Sequence, residues 1–404
     1  MKQHSKDRLD MLYVESAGDI VKSWRDWHQG IETPEETSIT FSSQVFALAR
    51  EQGWSLLALS FFARQDQAEG ERQTAMTRPR PFTGNGIFYY LSEGFNGLWL
   101  FWLVLMQRPR IVVVSSGACL WVSLLLLRLL PVRVIVSMHN TPWPAGFYPQ
   151  SRLKRLLLWL DGLFFRHVAQ GALCVSPECA RQVAELSGGR GVQIWPHLPQ
   201  YRVGHLVKPV REARGEAAFR IAFAGRIEAD KGVFDIVQMA LALRERGLPN
   251  FIFEMCGDGS ALPALRLAIA EAGLSDCVIT HGRLARAALV AVYGRAHLAI
   301  VPTRSDFNEG FAMVAAEAAM MGIPVLTSPV VPAAEVLGAA ARLAVTNDVA
   351  SYVREIALLM QDASVYEACR QGCEPVAAVF TRPEQGFKAA LARACGKLEG
   401  SGQQ

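Results

Sequence analysis

Charge is scarce in this chain: 19% of its 404 residues are Asp, Glu, Lys or Arg, and the formal net charge is +4. So small a basic excess gives no electrostatic footprint for nucleic acid, and no such partner is expected. Lysine is scarcer still, eight against 33 arginines, so each ammonium is a less casual choice of cation. None of the eight cysteines (119, 174, 179, 256, 277, 369, 373 and 395) forms a Cys-x-x-Cys pair or a metal-ligand spacing. Read as small buried hydrophobes, they fit a reducing, cytoplasmic compartment. Long apolar runs are also missing. Residues 98–106 and 118–130 are apolar, but the second is interrupted by Arg128 and stops at Pro131. Both fall short of the ~20 residues a bilayer requires and read as buried helices. The opening MKQHSKDRLD has no apolar signal-peptide segment. No G-x-G-x-x-G follows a first strand, and Gly257-Asp258-Gly259 lacks a third glycine, which disfavours a dinucleotide-dependent oxidoreductase.

What is present is a hydrophobic content of 51% in a chain long enough for two domains. The first half alternates strands near 11–14, 55–61, 111–115, 132–138 and 172–175 with helices at 42–52, 93–106, 118–130, 151–169 and 177–187. Two segments read as irregular: a polar connection over 16–37 and an exposed loop over 63–84. The runs IVVVSS and VRVIVSM are continuously apolar, as in parallel strands covered on both faces. A second alternation begins at strand 219–224 and includes a helix over 311–321. Strands alternating with helices predict parallel α/β sheets, and a proline-bearing linker between the sets predicts two Rossmann-like domains. The expected boundaries are 1–200, linker 201–217, 218–382, and a C-terminal segment 383–404.

The richest window is 301–328, VPTRSDFNEGFAMVAAEAAMMGIPVLTS. Two carboxylates interrupt its apolar text, Glu309 before the helix and Glu317 inside it. A carboxylate on an otherwise uncharged helix is costly to bury unless it is bonded. Gly310, Phe311 and Ala312 stand at the helix start, where N–H groups and the macrodipole favour an anion. Two carboxylate oxygens can accept both hydroxyls of a ribose diol.

Glu309-Gly310-Phe311 followed by Glu317, with seven residues between the glutamates, resembles the donor motif of the family 4 retaining glycosyltransferases. Gly322-Ile323-Pro324-Val325 is similar to that family's Gly-x-Pro-Val turn. Phe223-Ala224-Gly225-Arg226 with Lys231-Gly232 looks like its second donor motif, and Cys256-Gly257-Asp258-Gly259 like its Gly-x-Gly turn. The resemblance covers roughly 219–345 and implies the GT-B architecture, two Rossmann-like domains with parallel sheets facing a central cleft, with the C-terminal segment returning to the first domain.

It also implies roles. Arg226 and Lys231 would grip the diphosphate, whose charge grows as the glycosidic bond breaks. Gly225 and Gly257 would let backbone approach the ligand closely. Glu317 would hold the ribose, and Glu309 would act on the transferred sugar. His139, beyond a first-domain strand, would contact that sugar; the family often follows this histidine with aspartate, and here Asn140 stands instead. The first domain has only Gly18 where relatives carry paired glycines.

The expected function is a retaining, hexosyl-type transfer from a nucleoside-diphosphate sugar to an acceptor hydroxyl. The acceptor would be a glycan or lipid-linked saccharide in exopolysaccharide, lipopolysaccharide or other glycoconjugate assembly. No Asp-x-Asp is placed to hold a metal against a diphosphate, so no metal and no other cofactor are expected. The competing readings are an epimerase or phosphorylase on the same fold and a non-catalytic nucleotide-sugar-binding protein. The basic, apolar helix 151–169 further suggests peripheral contact with the inner face of the cell membrane.

Overall fold

The computed structural model describes residues 8–31, 36–82, 87–206, 218–248 and 250–400. Most of the expected linker, 207–217, lies outside the described residues. Among the described residues, sixteen strands build the fold. In the first half they are β1 (Met11–Glu15), β2 (Ser38–Ile39), β3 (Leu56–Ser60), β4 (Asp66–Glu69), β5 (Gln73–Thr77), β6 (Ile111–Ser115), β7 (Arg133–Met138), β8 (Ala169–Cys174), β9 (Gln193–Pro196) and β10 (Gln200–Tyr201). The second half contributes β11 (Phe219–Ala224), β12 (Phe251–Cys256), β13 (Val278–Gly282), β14 (Leu298–Ile300), β15 (Val325–Thr327) and β16 (Ala341–Leu343).

The first sheet has the order β4-β5-β3-β1-β6-β7-β8-β9 and is parallel except for the β4–β5 pair. The second is wholly parallel, in the order β13-β12-β11-β14-β15-β16. Each chain order reverses beside its first strand, between β1 and β6 and between β11 and β14. In open α/β sheets, ligands bind beyond the carboxyl ends of strands at such points.

The first sheet is flanked by α1 (Ile20–Gln29), α2 (Phe41–Glu51), α3 (Ile87–Gln107), α4 (Arg152–His167) and α5 (Pro177–Ser187). Strand periodicity divides the core between the two faces. Leu12 and Val14 face the layer holding α3 and α4, whereas Met11 and Tyr13 face α1 and α2. Around the second sheet lie α6 (Val233–Glu245), α7 (Leu262–Glu271), α8 (Arg286–Arg295), α9 (Met313–Met320), α10 (Ala333–Leu337), α11 (Val349–Gln361), α12 (Ala363–Gly372) and α13 (Val376–Phe380). The last helix, α14 (Phe387–Gly400), lies on the first sheet, where Phe387, Leu391 and Ala394 are buried with Met11 and Tyr13.

Three expectations need correction. The polar connection 16–37 contains α1, which Asp19 caps by accepting from the Lys22 N–H and Gly30 ends in a left-handed conformation. Its buried side is only Ile20, Val21 and Trp24, so polar composition concealed an amphipathic helix. The loop 63–84 contains the β4–β5 hairpin at the sheet edge. In β5, Gln73, Ala75 and Thr77 point inward, and Gln73 satisfies the Trp24 indole at 3.2 Å, so a polar residue occupies an inward position. Residues 121–129, expected within an α-helix, form a 3-10 helix, Trp121–Leu129. Among the described residues no helix is long and apolar enough to cross a membrane.

Candidate functional site

Beyond β11 the chain turns through Gly225 and Arg226, and beyond β14 it runs through Val301 to Glu309. These paths meet at the point where the second sheet's order reverses. A single-turn 3-10 helix, Ala229–Lys231, brings the Lys231 ammonium to 2.6 Å from Glu309 Oε2. The two side chains are 16% and 11% exposed, so the pair is mostly withdrawn from water. Thr303 Oγ1 donates to the same carboxylate at 3.4 Å. The Phe307 ring lies 3.7 Å from Lys231 Nζ and 5.4 Å from the Arg226 guanidinium carbon, so its π face serves both cations. Arg226 itself is exposed.

Gly257 follows β12 with φ +150°, and a Cβ there would collide with the Gly225 carbonyl oxygen. The two backbone turns therefore nest against each other, which only glycine at 257 permits. Helix α9 starts at Met313, two residues later than expected, because Ala312 adopts a left-handed conformation with φ 71°. A non-glycine residue held there costs on the order of 1–2 kcal/mol, a strain characteristic of functional segments.

The 307–310 loop docks on the first domain. Gly310 lies so close to His139 that a Cβ would run into the histidine carbonyl oxygen. Thr141 Oγ1 donates to the Glu309 carbonyl at 3.2 Å, Asn308 Nδ2 to the Pro142 carbonyl at 3.2 Å, and the Cys179 thiol to the Gly310 carbonyl at 3.8 Å. His139 thereby touches the loop that carries Glu309. Its Nε2 lies 3.0 Å from Ser137 Oγ and 3.3 Å from Ser115 Oγ, and its ring stacks on Phe41 with centroids 4.3 Å apart. Burial drives its pKa down to about 4, so the imidazole is neutral at pH 7. Among the described residues, its buried Nδ1 has no hydrogen-bond partner.

Glu317 stands apart from the Lys231–Glu309 pair. It is buried on α9 and accepts hydrogen bonds from Thr37 Oγ1 at 2.5 Å and the Tyr201 hydroxyl at 3.4 Å. Burial raises its pKa, and both hydroxyls act against that rise. Its Oε1 is thus engaged by residues of the first half rather than by another charge. Phe311 is buried, its ring 5.7 Å from that of Phe380.

Sequence reading missed Phe307, Thr37 and Tyr201. Phe307 had a local signal, one aromatic in the polar run 304–309 two positions before a glutamate. Thr37 and Tyr201 had none, because they reach Glu317 from 280 and 116 residues away.

Residues 40–195 match the model for "Glycosyl transferase 4-like domain" and residues 209–373 that for "Glycosyl transferases group 1". The 2-deoxystreptamine N-acetyl-D-glucosaminyltransferase of Streptomyces fradiae is 27% identical over 245 residues, 54% of this chain and 54% of that protein. The D-inositol 3-phosphate glycosyltransferase of Paenarthrobacter aurescens (strain TC1) is 33% identical over 146 residues, 35% of this chain and 34% of that protein. The chain thus spans about half or less of the length of the curated relatives it matches.

Among solved structures, sucrose-phosphate synthase from Thermosynechococcus elongatus superposes with a TM-score of 0.72 at 16% identity, over 98% of this chain and 100% of that one. The Anabaena protein HepE, crystallised with UDP and glucose, gives 0.63 at 13% identity, over 97% and 100%. At such identities the likeness concerns the fold. With one family model on each sheet and the whole architecture matched, the chain belongs to the glycosyltransferases of GT-B fold.

Proposed function

We propose that this protein transfers a hexosyl unit from a nucleoside-diphosphate sugar to an acceptor hydroxyl with retention of configuration. The observation that carries this reading is the convergence of Arg226, Lys231, Glu309 and His139 where the carboxyl ends of the two sheets face each other. Cations suited to a diphosphate lie beside a carboxylate suited to a developing oxocarbenium charge. The UDP and glucose crystallised with HepE support the donor class.

In this reading Arg226 and Lys231 hold the diphosphate, with the N-terminus of α9 behind it and Gly225 and Gly257 giving backbone access. Glu317 takes the ribose diol, exchanging the Thr37 and Tyr201 hydroxyls for those of the ligand. Neutral His139 hydrogen-bonds the sugar. The acceptor oxygen bonds to the anomeric carbon as the bond to the diphosphate breaks, and the acceptor proton passes to a diphosphate oxygen. Lys231 balances Glu309 before the donor arrives and the departing anion afterwards, so its charge is most valuable as the bond breaks. Protein cations fill the role a metal has elsewhere, so transfer is expected to survive chelation by EDTA.

The products belong in exopolysaccharide, lipopolysaccharide or other glycoconjugate assembly at the cytoplasmic face of a membrane. Leu153, Leu156 and Trp159 of α4 are exposed beside Arg152, Lys154 and Arg155, the composition of a peripheral contact with anionic lipid. Incubation with radiolabelled UDP- and GDP-sugars and a membrane lipid extract tests the reading. Transfer of label supports it, whereas donor binding without turnover under all conditions would leave a binding protein instead.

A further inference from the structure

The short run Glu36–Thr40 is tied to both domains. On the second-domain side, Arg286 at the start of α8 donates to the Glu36 carbonyl at 3.0 Å, and Thr37 Oγ1 donates to Glu317 Oε1 at 2.5 Å. On the first-domain side, β2 pairs antiparallel with β10 through Ser38 with Tyr201 and Ile39 with Gln200. Gln44 Nε2 donates to the Ile39 carbonyl at 3.2 Å, and Thr40 caps α2 by accepting from the Ser43 N–H at 3.2 Å. The run is therefore a strap laid over the carboxylate proposed to take the ribose. Its own ladder is only two residues long, so it can part without unfolding either sheet.

The strap and a ribose would compete for the same atom. Thr37 and Tyr201 both donate to Oε1, and one carboxylate oxygen has about two acceptor directions. A diol that bonds both carboxylate oxygens needs one of those directions, so a hydroxyl must leave. Tyr201 can do so without loss, because its hydroxyl also lies 3.3 Å from the Met313 carbonyl. Thr37 can leave only by carrying the strap with it. The residue after Thr40 is Phe41, whose ring stacks on His139 with centroids 4.3 Å apart. Movement at Thr37 thus has a path four residues long to the histidine proposed to meet the transferred sugar.

Resting on the glycosyl-transfer reading above, we propose that Glu36–Thr40 is a built-in competitor for the ribose pocket. In the free protein Thr37 holds Glu317; the donor ribose displaces it, and the withdrawal of the strap is passed through Phe41 to His139. A ligand shifts such an equilibrium only by preferring one of its two states, and the ribose bonds Glu317 fully only when the strap is off. A diphosphate without a ribose, held by Arg226 and Lys231, leaves the strap in place. The device makes readiness at the sugar end depend on a nucleoside at the other end.

Calorimetry with the full chain tests this by comparing the parent, Thr37→Val and Thr37→Ser, with UDP, GDP and inorganic pyrophosphate as ligands. Thr37→Val exchanges a hydroxyl for a methyl and keeps the branched side chain. Whichever nucleotide the parent binds should bind this variant about three- to tenfold more tightly, the effect of removing one competing hydrogen bond. Pyrophosphate affinity stays within about twofold of the parent, and Thr37→Ser, which keeps the hydroxyl, stays near the parent for both ligands. The thermal midpoint of ligand-free Thr37→Val falls at the same time. Lower stability together with tighter binding marks a bond made only in the free protein, whereas a merely structural threonine would lower both. In the parent, saturating nucleotide should speed amide exchange over residues 37–41, and pyrophosphate should not. Nucleotide affinity that is unchanged or weaker in Thr37→Val, a gain shared by pyrophosphate, or exchange that nucleotide leaves unchanged or slows overturns the strap assignment alone. If the parent binds neither UDP nor GDP, the glycosyl-transfer reading on which the strap rests fails instead.

Discussion

At the scale of single residues, the Lys231–Glu309 pair is the most consequential contact. Lys231→Ala should weaken UDP or GDP binding by about 10–100-fold, as expected for a lost charge-assisted hydrogen bond. Calorimetry checks this, and unchanged affinity would remove Lys231 from the diphosphate. Glu309→Gln should leave nucleotide affinity nearly intact while lowering transfer at least about 100-fold, because its charge is needed only as the sugar becomes cationic. Transfer near the parent rate in that variant would take Glu309 out of the chemistry.

Titration offers another test at this scale. Burial depresses His139 to about 4 and His197 to about 3, so between these values and the ordinary 6.5 the unfolded chain binds more protons. Their contribution is complete above pH 6.5 and declines as pH falls towards 4. Glu15 and Asp161, raised to about 7, act oppositely and cost stability as pH rises through that range. Because the signs oppose, the measurement is a difference: His197→Phe should lose less in thermal midpoint than the parent between pH 8 and pH 5. An equal loss would mean that His197 does not titrate in this way. The candidate residues Arg226, Lys231, Glu309 and Glu317 were legible in the sequence because each belongs to a short motif. What surrounds Glu317 was not, since hydroxyls drawn from across the cleft leave no local pattern.

At the scale of elements, legibility followed hydrophobicity. Strands β6 and β7 are continuous apolar runs and stood out, whereas α1 and the β4–β5 hairpin are largely polar and did not. Helix α1 shows why: three buried residues in ten suffice once Asp19 and Gly30 fix its ends, and composition then points the wrong way. Similarly, the start of α9 depends on a left-handed alanine, a conformation that sequence favours only for glycine, asparagine or aspartate. The loop preceding α9 couples the domains, and Gly310 is its contact point. Gly310→Ala should force this loop away from His139, lowering transfer more than nucleotide affinity and reducing the thermal midpoint by several degrees, as about 1–2 kcal/mol of strain would. Kinetics and calorimetry on one preparation decide it, and an unperturbed variant would mean the loop stands clear of His139 in solution.

At the scale of the whole molecule, α4 presents exposed apolar and basic side chains on the surface of the first domain. Flotation with anionic vesicles should therefore carry the protein upward at low salt, with recovery falling at high salt and in the Arg152/Lys154/Arg155→Glu variant. Protein that remains at the bottom with anionic vesicles at low salt would end the peripheral assignment. The return of α14 to the first sheet has a separate consequence. The Leu198 N–H donates to the Gln385 carbonyl at 2.8 Å, and Leu198 forms a bridge with Gly386, so the outgoing and returning passages of chain are stitched together. Beyond them, Lys388 Nζ reaches Glu51 at 2.7 Å, and Phe387 inserts among Phe41, His139 and His197. The polypeptide thus closes into a loop whose ends are clasped without a covalent bond. A protease site engineered between residues 206 and 218 should give two fragments that still migrate as one species until denatured, because the second fragment carries its own anchor in the first domain.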